Sequence, residues 1–293
     1  MAKKNVKGTP DGELKKSASL TLRKVIAYIV LIIISLLCLF WFYVLFVNAT
    51  RSNSELSQGF SALPGKTMAI NFRNVINGTL PVFKGLRNSL IVAASTAILC
   101  TYFSTMTAYA LHAYDFKLKK FLFTFILMIM MIPTQVTALG FINLVDDLHM
   151  MNTFWPLILP SIASPITFFY LKQYMEGALP LSLIEAARID GSGEFRTFNG
   201  IVLPLMKPAI AVQAIFSFVS SWNNYFTPSL VLKDLNMKTL PILIAQLRSA
   251  DWLKFDMGQV YMMIALSIFP VIIVYLILSK HIVSGIALGA VKE

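Results

Sequence analysis

Six stretches of this chain contain no Asp, Glu, Lys or Arg, and they restrict the possible folds more than any other feature. They are residues 25–47, 88–111, 121–145, 150–171, 209–232 and 260–279. A helix rises about 1.5 Å per residue and the hydrocarbon core of a bilayer is about 30 Å thick, so roughly 20 residues are enough to cross it. Because every stretch reaches that length, each can span a membrane as a helix.

Composition supports this assignment. Hydrophobic residues make up 57% of the 293 residues and charged residues only 13%, and the mean hydropathy is +0.70. A soluble domain of ordinary composition carries about 25% charged residues. Membrane strands need only about 10 residues and alternate in polarity, which these stretches do not. The sequence therefore predicts an all-α membrane protein with six transmembrane helices.

The basic residues predict the orientation of these helices. Sixteen Lys and Arg fall in the segments 1–24, 112–120, 172–208 and 280–293, against nine in 48–87, 146–149 and 233–259. Cytoplasmic segments are the ones enriched in Lys and Arg. We therefore expect both termini inside, in a multi-pass protein of the plasma membrane, with residues 25–47 retained as a signal anchor because they exceed the 7–15 apolar residues of a signal peptide.

The net charge of +11 is interpreted as a sign of this topology and of affinity for anionic membrane lipid. A nucleic-acid partner is not expected, because that would require a basic folded domain. Cys38 and Cys100 both fall inside predicted spans, and His112, His149 and His281 are dispersed at span ends. The sequence thus predicts no metal site and no catalytic residue.

Three prolines interrupt the fourth stretch, at positions 156, 160 and 165. Each removes a backbone donor and obstructs the preceding turn, so we expect this span to be kinked. Two interpretations stay open: an irregularity of packing, or the bent wall of a pathway lined by water.

The polar segment 172–208 lies between the fourth and fifth spans, on the cytoplasmic side of the predicted topology. Ser182 as N-cap with Glu185 at N3 predicts a capping box that begins a short helix. Gly191 is expected just beyond its end, in the left-handed conformation that glycine tolerates. A second short helix, over residues 194–201, is expected to end before Pro204.

The same segment carries the pattern E-A-A-x3-G-x9-I-x-L-P. Its fixed positions are Glu185, Ala186, Ala187, Gly191, Ile201, Leu203 and Pro204. A stable surface loop alone would explain the glycine and the helix. The joint spacing favours a docking surface, because paired alanines leave a helix face thin enough to enter a cleft, and the charges of Glu185, Arg188 and Asp190 can pair with a partner.

This pattern resembles the coupling loop in the membrane subunits of ABC importers. Further segments resemble those of carbohydrate importer permeases of the maltose or multiple-sugar type: Arg87-Asn88-Ser89-Leu90, Tyr114-Asp115-Phe116-Lys117, Met131-Ile132-Pro133 and Ser221-Trp222-Asn223-Asn224-Tyr225. The resemblance covers roughly residues 20–293. It implies the type I ABC importer permease fold and an ATPase-coupling role for Glu185, Ala186, Ala187, Arg188, Asp190 and Gly191.

The resemblance also implies partners. These are a second, related six-span permease, two ATPase domains that bind ATP and Mg, and an extracytoplasmic solute-binding protein that delivers a sugar. No cofactor is expected in this chain itself, and it contains no G-x4-G-K-[ST] motif with which to bind ATP. The outer loop 233–259, with Trp252, is either an inert connector or reaches toward the binding protein.

Neutral polar and aromatic side chains are the candidates for a solute pathway. They are Gln135, Asn143, Gln213, Ser217, Ser220, Asn223, Asn224 and Tyr225. Four of them, Gln213, Ser217, Ser220 and Asn224, share one helix face. That polar face is either part of a sugar pathway or a seam of hydrogen bonds against the partner permease, and the aromatic residues could equally belong to the interfacial belt.

Other functions fit the sequence less well. An ion-coupled secondary transporter is disfavoured because no ionisable residue lies inside the six stretches. A membrane-embedded enzyme is disfavoured because the three histidines are too dispersed to form a site. An ABC importer permease for a polyamine, an amino acid, a phosphonate or glycerol phosphate is the nearest alternative.

Overall fold

The computed structural model describes residues 10–248 and 256–289, with side chains over 23–248 (Thr134 excepted) and 256–282. Every regular element in these ranges is helical. The helices are α1 Pro10–Ala49, α2 Asn53–Ser57, α3 Met68–Asn77, α4 Val82–Ala113, α5 Lys119–Ile129, α6 Thr134–Asp147, α7 Trp155–Ile158, α8 Pro165–Ala178, α9 Leu181–Ile189, α10 Glu194–Thr197, α11 Leu203–Trp222, α12 Phe226–Val231, α13 Leu240–Arg248 and α14 Met257–Gly289. Trp252 lies outside the described residues.

Among the described residues, four helices are long and apolar enough to cross a membrane. They run over Arg23–Ala49, Val82–Ala113, Glu194–Trp222 and Met257–Ile282. These helices contain the whole of the first, second and sixth predicted spans. The fifth predicted span lies only partly in the third of these helices, because that helix ends at Trp222 and the separate α12 follows it. The all-helical class is thereby confirmed, and the two remaining spans stay predictions that the structure accommodates.

The third and fourth predicted spans are broken helices. α5 and α6 are separated at Pro133, whose backbone is extended. In the fourth span, α7 passes into a 3₁₀ helix over Leu159–Ala163, and Ser164 is extended before α8 begins. Each proline of this span stands at the first or second position of its helix, where a missing N–H breaks no helical hydrogen bond. The predicted kink is confirmed.

The centre of the molecule is α4, which packs against α8 and α11, while α11 also packs against α14. One buried apolar cluster lies around Phe218, Trp222 and Met263, at the end of the bundle that the topology places outside. A second lies around Leu171, Met175 and Met206, at the end placed inside. Between the two clusters the three helices α4, α8 and α11 meet at polar side chains.

The predicted outer loops meet at one end of this bundle. The side-chain amide of Asn88 donates to the carbonyls of Asn236 (2.8 Å) and Lys238 (3.1 Å). The backbone N–H of Leu240 donates to Ser89 Oγ at 2.8 Å. The Asn-Ser pair that begins the second span therefore fixes the chain that leads into α13, and the predicted inner segments lie at the opposite end.

Helix α1 stands beside this bundle rather than within it. None of its most apolar window is buried, and it reaches α14 near its end, where the rings of Phe46 and Phe269 lie 6.2 Å apart. An apolar surface of this extent is stable only against lipid or another membrane helix. The exposed apolar surface of the first span thus supports a membrane location, in addition to its composition.

Candidate functional site

Helix α9 forms the first part of the predicted coupling loop, but it begins differently from the prediction. Its N-cap residue is Pro180, in extended conformation, and no side chain caps the helix. The capping box predicted for Ser182 and Glu185 is therefore wrong. Because Pro180 is the extended residue that precedes the helix, Ser182 is the second helical residue and does not occupy the N-cap position from which a side chain binds the free N–H groups of the first turn.

The end of α9 agrees with the sequence. Gly191 has φ +75°, the left-handed conformation that was predicted for it. The N–H of Ser192 bonds to the Ala187 carbonyl at 2.9 Å and the N–H of Gly191 to the Arg188 carbonyl at 3.0 Å. These two bonds form a Schellman motif, which satisfies carbonyls at the end of a helix and reverses the chain.

The second predicted short helix does not end before Pro204. α10 continues through a π turn at Phe198–Val202 into α11, so one helix runs from Glu194 to Trp222. The N–H of Leu203 bonds to the Phe198 carbonyl, five residues back. The wider turn accommodates a proline that would obstruct a regular α-helix. A displacement of the loop therefore acts on a continuous helix.

The predicted coupling residues point in two directions. Ala187 is buried, and so is Ile184, which belongs to the apolar cluster at the inner end. Glu185, Ala186 and Asp190 are exposed on the other side of α9. The alanine pair is thus divided, with only Ala186 on the face that a partner can reach.

Two exposed apolar residues extend this outward surface, and the sequence analysis missed them. Ile189 is 87% exposed and Phe195 is 70% exposed, on either side of the glycine bend. Single exposed apolar residues are common on protein surfaces, whereas a contiguous apolar patch marks a binding surface, so these two residues count here as added apolar area beside the predicted docking face. Periodicity could have revealed Ile189: it follows buried Ala187 by two residues, about 200° around a helix, and so falls on the polar face.

Arg188 and Glu194 join the two sides of the bend. The Nε–H of Arg188 donates to Glu194 Oε1 at 2.7 Å, and the hydroxyl of Tyr109, near the end of α4, donates to Glu194 Oε2 at 3.0 Å. The Arg188 guanidinium also lies over the Tyr114 ring, with 5.1 Å from Cζ to the ring centroid. Arg188 therefore already has a partner within its own chain, which the sequence did not indicate.

Electrostatic interactions set the protonation states of the polar cluster formed by Arg188, Glu194, Tyr109 and Tyr114. The hydrogen bond from Arg188, followed by one with Tyr114, lowers the pKa of Glu194 below its ordinary value. Burial, followed by the hydrogen bond with Glu194, raises the pKa of Tyr114. Both groups lie outside the predicted spans. At neutral pH the cluster therefore holds one carboxylate and one guanidinium beside neutral tyrosines.

A cavity of about 300 Å³ lies in the middle of the helix bundle, between α4, α11 and the broken fourth span. All four residues of the predicted polar face line it: Gln213, Ser217, Ser220 and Asn224. Opposite them are polar side chains of the other walls: Thr96, Cys100, Ser161, Ser164 and Thr167. The structure thus brings the predicted stripe together around one space.

Hydrogen bonds connect the walls of this cavity. Ser217 Oγ donates to Cys100 Sγ (3.4 Å), which in turn donates to Thr167 Oγ1 (3.2 Å). Ser164 Oγ lies 3.0 Å from the same Thr167 oxygen. The buried hydroxyl of Thr96 has no hydrogen-bond partner among the described residues. With no Asp, Glu, Lys or Arg among its lining residues, the cavity suits an uncharged ligand with many hydroxyls.

The other candidates for the pathway lie elsewhere. Asn223 and Tyr225 line a separate cavity of about 520 Å³ beside α13 and α14. Gln135 and Asn143 are exposed on α6 and do not line either cavity. Asn224 also borders a third cavity, of about 290 Å³, next to Pro156. The predicted pathway set is therefore divided among three places.

Trp222 of the fifth span has a packing role. Trp222 is only 3% exposed, and its ring stacks on Phe218 at 5.6 Å between centroids. It belongs to the apolar cluster at the outer end. Within the described residues, no group of three His, Cys, Asp or Glu side chains is placed to hold a metal ion.

Comparison with known proteins gives matches along most of the chain. Residues 101–287 match the family described as "Binding-protein-dependent transport system inner membrane component". The arabinooligosaccharides transport system permease protein of Bacillus subtilis is 36% identical over 285 residues, which are 95% of this chain and 99% of the relative. The sn-glycerol-3-phosphate transport system permease protein of Brucella abortus is 32% identical over 270 residues, which are 89% of this chain and 95% of the relative.

A solved structure shares the fold. A chain from the crystal structure of a bacterial ABC transporter involved in the import of the acidic polysaccharide alginate matches with a TM-score of 0.75. The match covers 89% of this chain and 97% of that chain, at 22% sequence identity. At this identity the likeness shows that the two chains share a fold.

Proposed function

The chain belongs to the family of binding-protein-dependent transport system inner membrane components, and from this premise we propose that it forms half of an import pathway for a neutral oligosaccharide. As a member of that family it is a multi-pass subunit of the cytoplasmic membrane and a transporter component rather than an enzyme. The main observation in support of a neutral oligosaccharide as cargo is the cavity around Ser217 and Asn224, which polar side chains line without any charged residue.

The cargo follows from the chemistry of that cavity. Hydroxyl and amide groups exchange hydrogen bonds with the hydroxyls of a sugar, whereas a phosphate or carboxylate is held best by Arg or Lys. The relative with 36% identity is by its name a permease for arabino-oligosaccharides. The relative at 32% carries the name of a glycerol-phosphate permease, and a cargo of that charge would lack a cation among the residues that line this cavity.

The proposed partners are those of the family: a second six-span permease, two ATPase domains that bind ATP and Mg, and an extracytoplasmic solute-binding protein. The outward face of α9, with Glu185, Ala186 and Asp190, is the proposed contact for one ATPase domain. Ile189 and Phe195 add apolar area to that contact. The exposed α1 and the cavity itself would adjoin the second permease and lipid.

The continuous helix from Glu194 to Trp222 explains how the loop could act on the cavity. Gln213 lies nineteen positions after Glu194, which corresponds to about 28 Å along a helix. Closure of the ATPase domains would displace α9, and the helix would tilt as a nearly rigid body. Access to the cavity would then alternate between the two sides of the membrane.

An uptake assay tests the cargo. The transporter, assembled from both permeases and the ATPase, is reconstituted in liposomes that contain ATP, and the binding protein is added outside with labelled arabinotriose or labelled glycerol 3-phosphate. We expect saturable, ATP-dependent uptake of arabinotriose and none of glycerol 3-phosphate. Uptake of glycerol 3-phosphate without uptake of any neutral oligosaccharide would overturn the cargo assignment and leave the family intact.

A further inference from the structure

Glu194 occupies an unusual position in this chain, because its carboxylate joins three separate segments. One oxygen bonds to Arg188 on α9 and the other to Tyr109 on α4, while Glu194 itself begins the helix that leads into α11. An exposed ion pair usually adds little to stability. The pair therefore matters chiefly because it orients α9: the two carboxylate oxygens of Glu194 are bonded from two different directions.

The surroundings restrict the cluster further. The Tyr109 ring packs against the rings of Tyr114 and Phe198, at 6.0 and 5.7 Å between centroids. Thr197, which is completely buried, donates a hydrogen bond to Ser192 Oγ at 2.9 Å across the bend. The bend is thus closed on the inside by packing and on the outside by the carboxylate.

A further hydrogen bond, made by His112, connects the end of α4 to the chain just before α9. The ring of His112, at the end of α4, is hydrogen-bonded to the carbonyl of Leu179 at 2.9 Å, just before α9 begins. The end of α4 therefore holds the loop at both of its ends, through His112 before α9 and through Tyr109 after it. The two bonds lie on either side of α9, so they restrict its movement relative to α4.

We propose that Glu194 is a positioning residue for coupling: together with Arg188 and Tyr109 it forms a latch that makes α9, α4 and the Glu194–Trp222 helix move as one unit. This inference rests on the proposed function, because it assumes that an ATPase displaces α9. It assigns to Glu194 a task separate from that of the outward residues. Glu185 and Ile189 would receive the force, and the latch would pass it to both helices.

The test uses the assembled transporter with Glu194→Gln, which keeps the size of the side chain and removes its charge. We expect the ATPase to co-purify as with the wild type and the number of ATP molecules hydrolysed per arabinotriose imported to rise roughly three- to tenfold. Tyr109→Phe, which retains the ring packing, should give a smaller rise. Asp115→Asn is the matched control, since that carboxylate is exposed at the same end of the molecule.

Charge exchange separates coupling from simple damage. The double variant Arg188→Glu with Glu194→Arg restores the ion pair and should return the ratio toward the wild-type value, whereas each single charge reversal should raise it. A normal ratio in Glu194→Gln would overturn the latch. So would loss of the ATPase from the purified complex, because Glu194 would then act in docking.

A second readout does not depend on the cargo. Hydrogen exchange of the backbone amides over residues 186–193 is measured in the ATP-bound complex, and we expect it to be faster in Glu194→Gln than in the wild type. If the wild type imports no oligosaccharide, the cargo proposal fails while this measurement still tests the latch. Unchanged exchange in the variant would overturn the latch with the cargo proposal intact.

Discussion

The helix from Glu194 to Trp222 has polar clusters of opposite kinds at its two ends. At the end that the predicted topology places in the cytoplasm, Glu194 is ionised and bonded to Arg188 and Tyr109. About 28 Å further along, the cavity is lined by Gln213, Ser217 and other neutral groups. Charges are costly inside a bilayer and inexpensive where water reaches them. The structure shows neutral polar groups and ionised groups at different positions along one helix, and under the proposed function this arrangement would separate the recognition of cargo from the transmission of force.

This separation can be tested at each end, because a change in one cluster should leave the property of the other unaltered. Substitutions near α9 should alter the binding of the ATPase or the ATP consumed per sugar. Substitutions in the cavity should alter the apparent affinity for the sugar. The three changes that follow are ordered from the largest expected effect to the smallest.

The largest effect is expected at Ile189, which is 87% exposed in the isolated chain. Burying an isoleucine at an interface contributes about 1.5–3 kcal/mol, so Ile189→Asp should weaken ATPase binding by roughly ten- to a hundredfold. Co-purification and titration with the isolated ATPase measure this. Leu118→Asp, at a side chain 61% exposed at the same end, is the control. Equal losses in both variants would contradict a specific contact at Ile189.

A smaller effect is expected at the bend. Gly191 has φ +75°, and a Cβ added there would meet no atom within 4 Å, so Gly191→Val is strained by its backbone alone, by about 1–2 kcal/mol. Roughly tenfold less of the loop would then have the docked geometry, and uptake should fall accordingly while the permease stays in the membrane. Gly193→Ala is the control, because Gly193 is extended at φ −68°. Normal uptake by Gly191→Val would contradict a coupling role for the bend.

The smallest effect is expected in the cavity. A neutral hydrogen bond contributes about 0.5–1.5 kcal/mol, so Asn224→Leu should raise the KM for arabinotriose roughly two- to tenfold. The ATP hydrolysed per sugar should not change. Asn223→Leu serves as the comparison, because Asn223 lines the other cavity. If Asn223→Leu raised KM more than Asn224→Leu, the sugar site would have to be placed beside α13 instead.

Much of the fold could be predicted because local rules decide it. Length and the absence of charge mark the spans that become α4 and α14, and prolines mark the break before α8. Helical spacing places Gln213, Ser217 and Ser220 on one face. The left-handed Gly191 is likewise a local matter, because few residues other than glycine can end a helix in that way.

The failures have a different origin. The sequence predicts a capping box at Ser182 and a helix end before Pro204, but the chain begins α9 from Pro180 and passes Pro204 with a π turn. The start of α9 follows from Pro180 itself, which the capping-box pattern outweighed in the prediction, whereas the π turn buries Phe198 and Val202 in the inner cluster and so depends on packing. The latch escaped notice for a similar reason, since Tyr109 and Glu194 are 85 residues apart and only the folded chain brings them together.

The most direct test of the division along this helix compares Ser217→Ala with Glu194→Gln in the same liposomes. Two quantities are measured for each variant: the KM for arabinotriose and the number of ATP molecules hydrolysed per arabinotriose imported. We expect Ser217→Ala to raise only KM and Glu194→Gln to raise only the ATP consumed. If both variants changed the same quantity by similar factors, that result would contradict the separation of cargo recognition from force transmission along the helix.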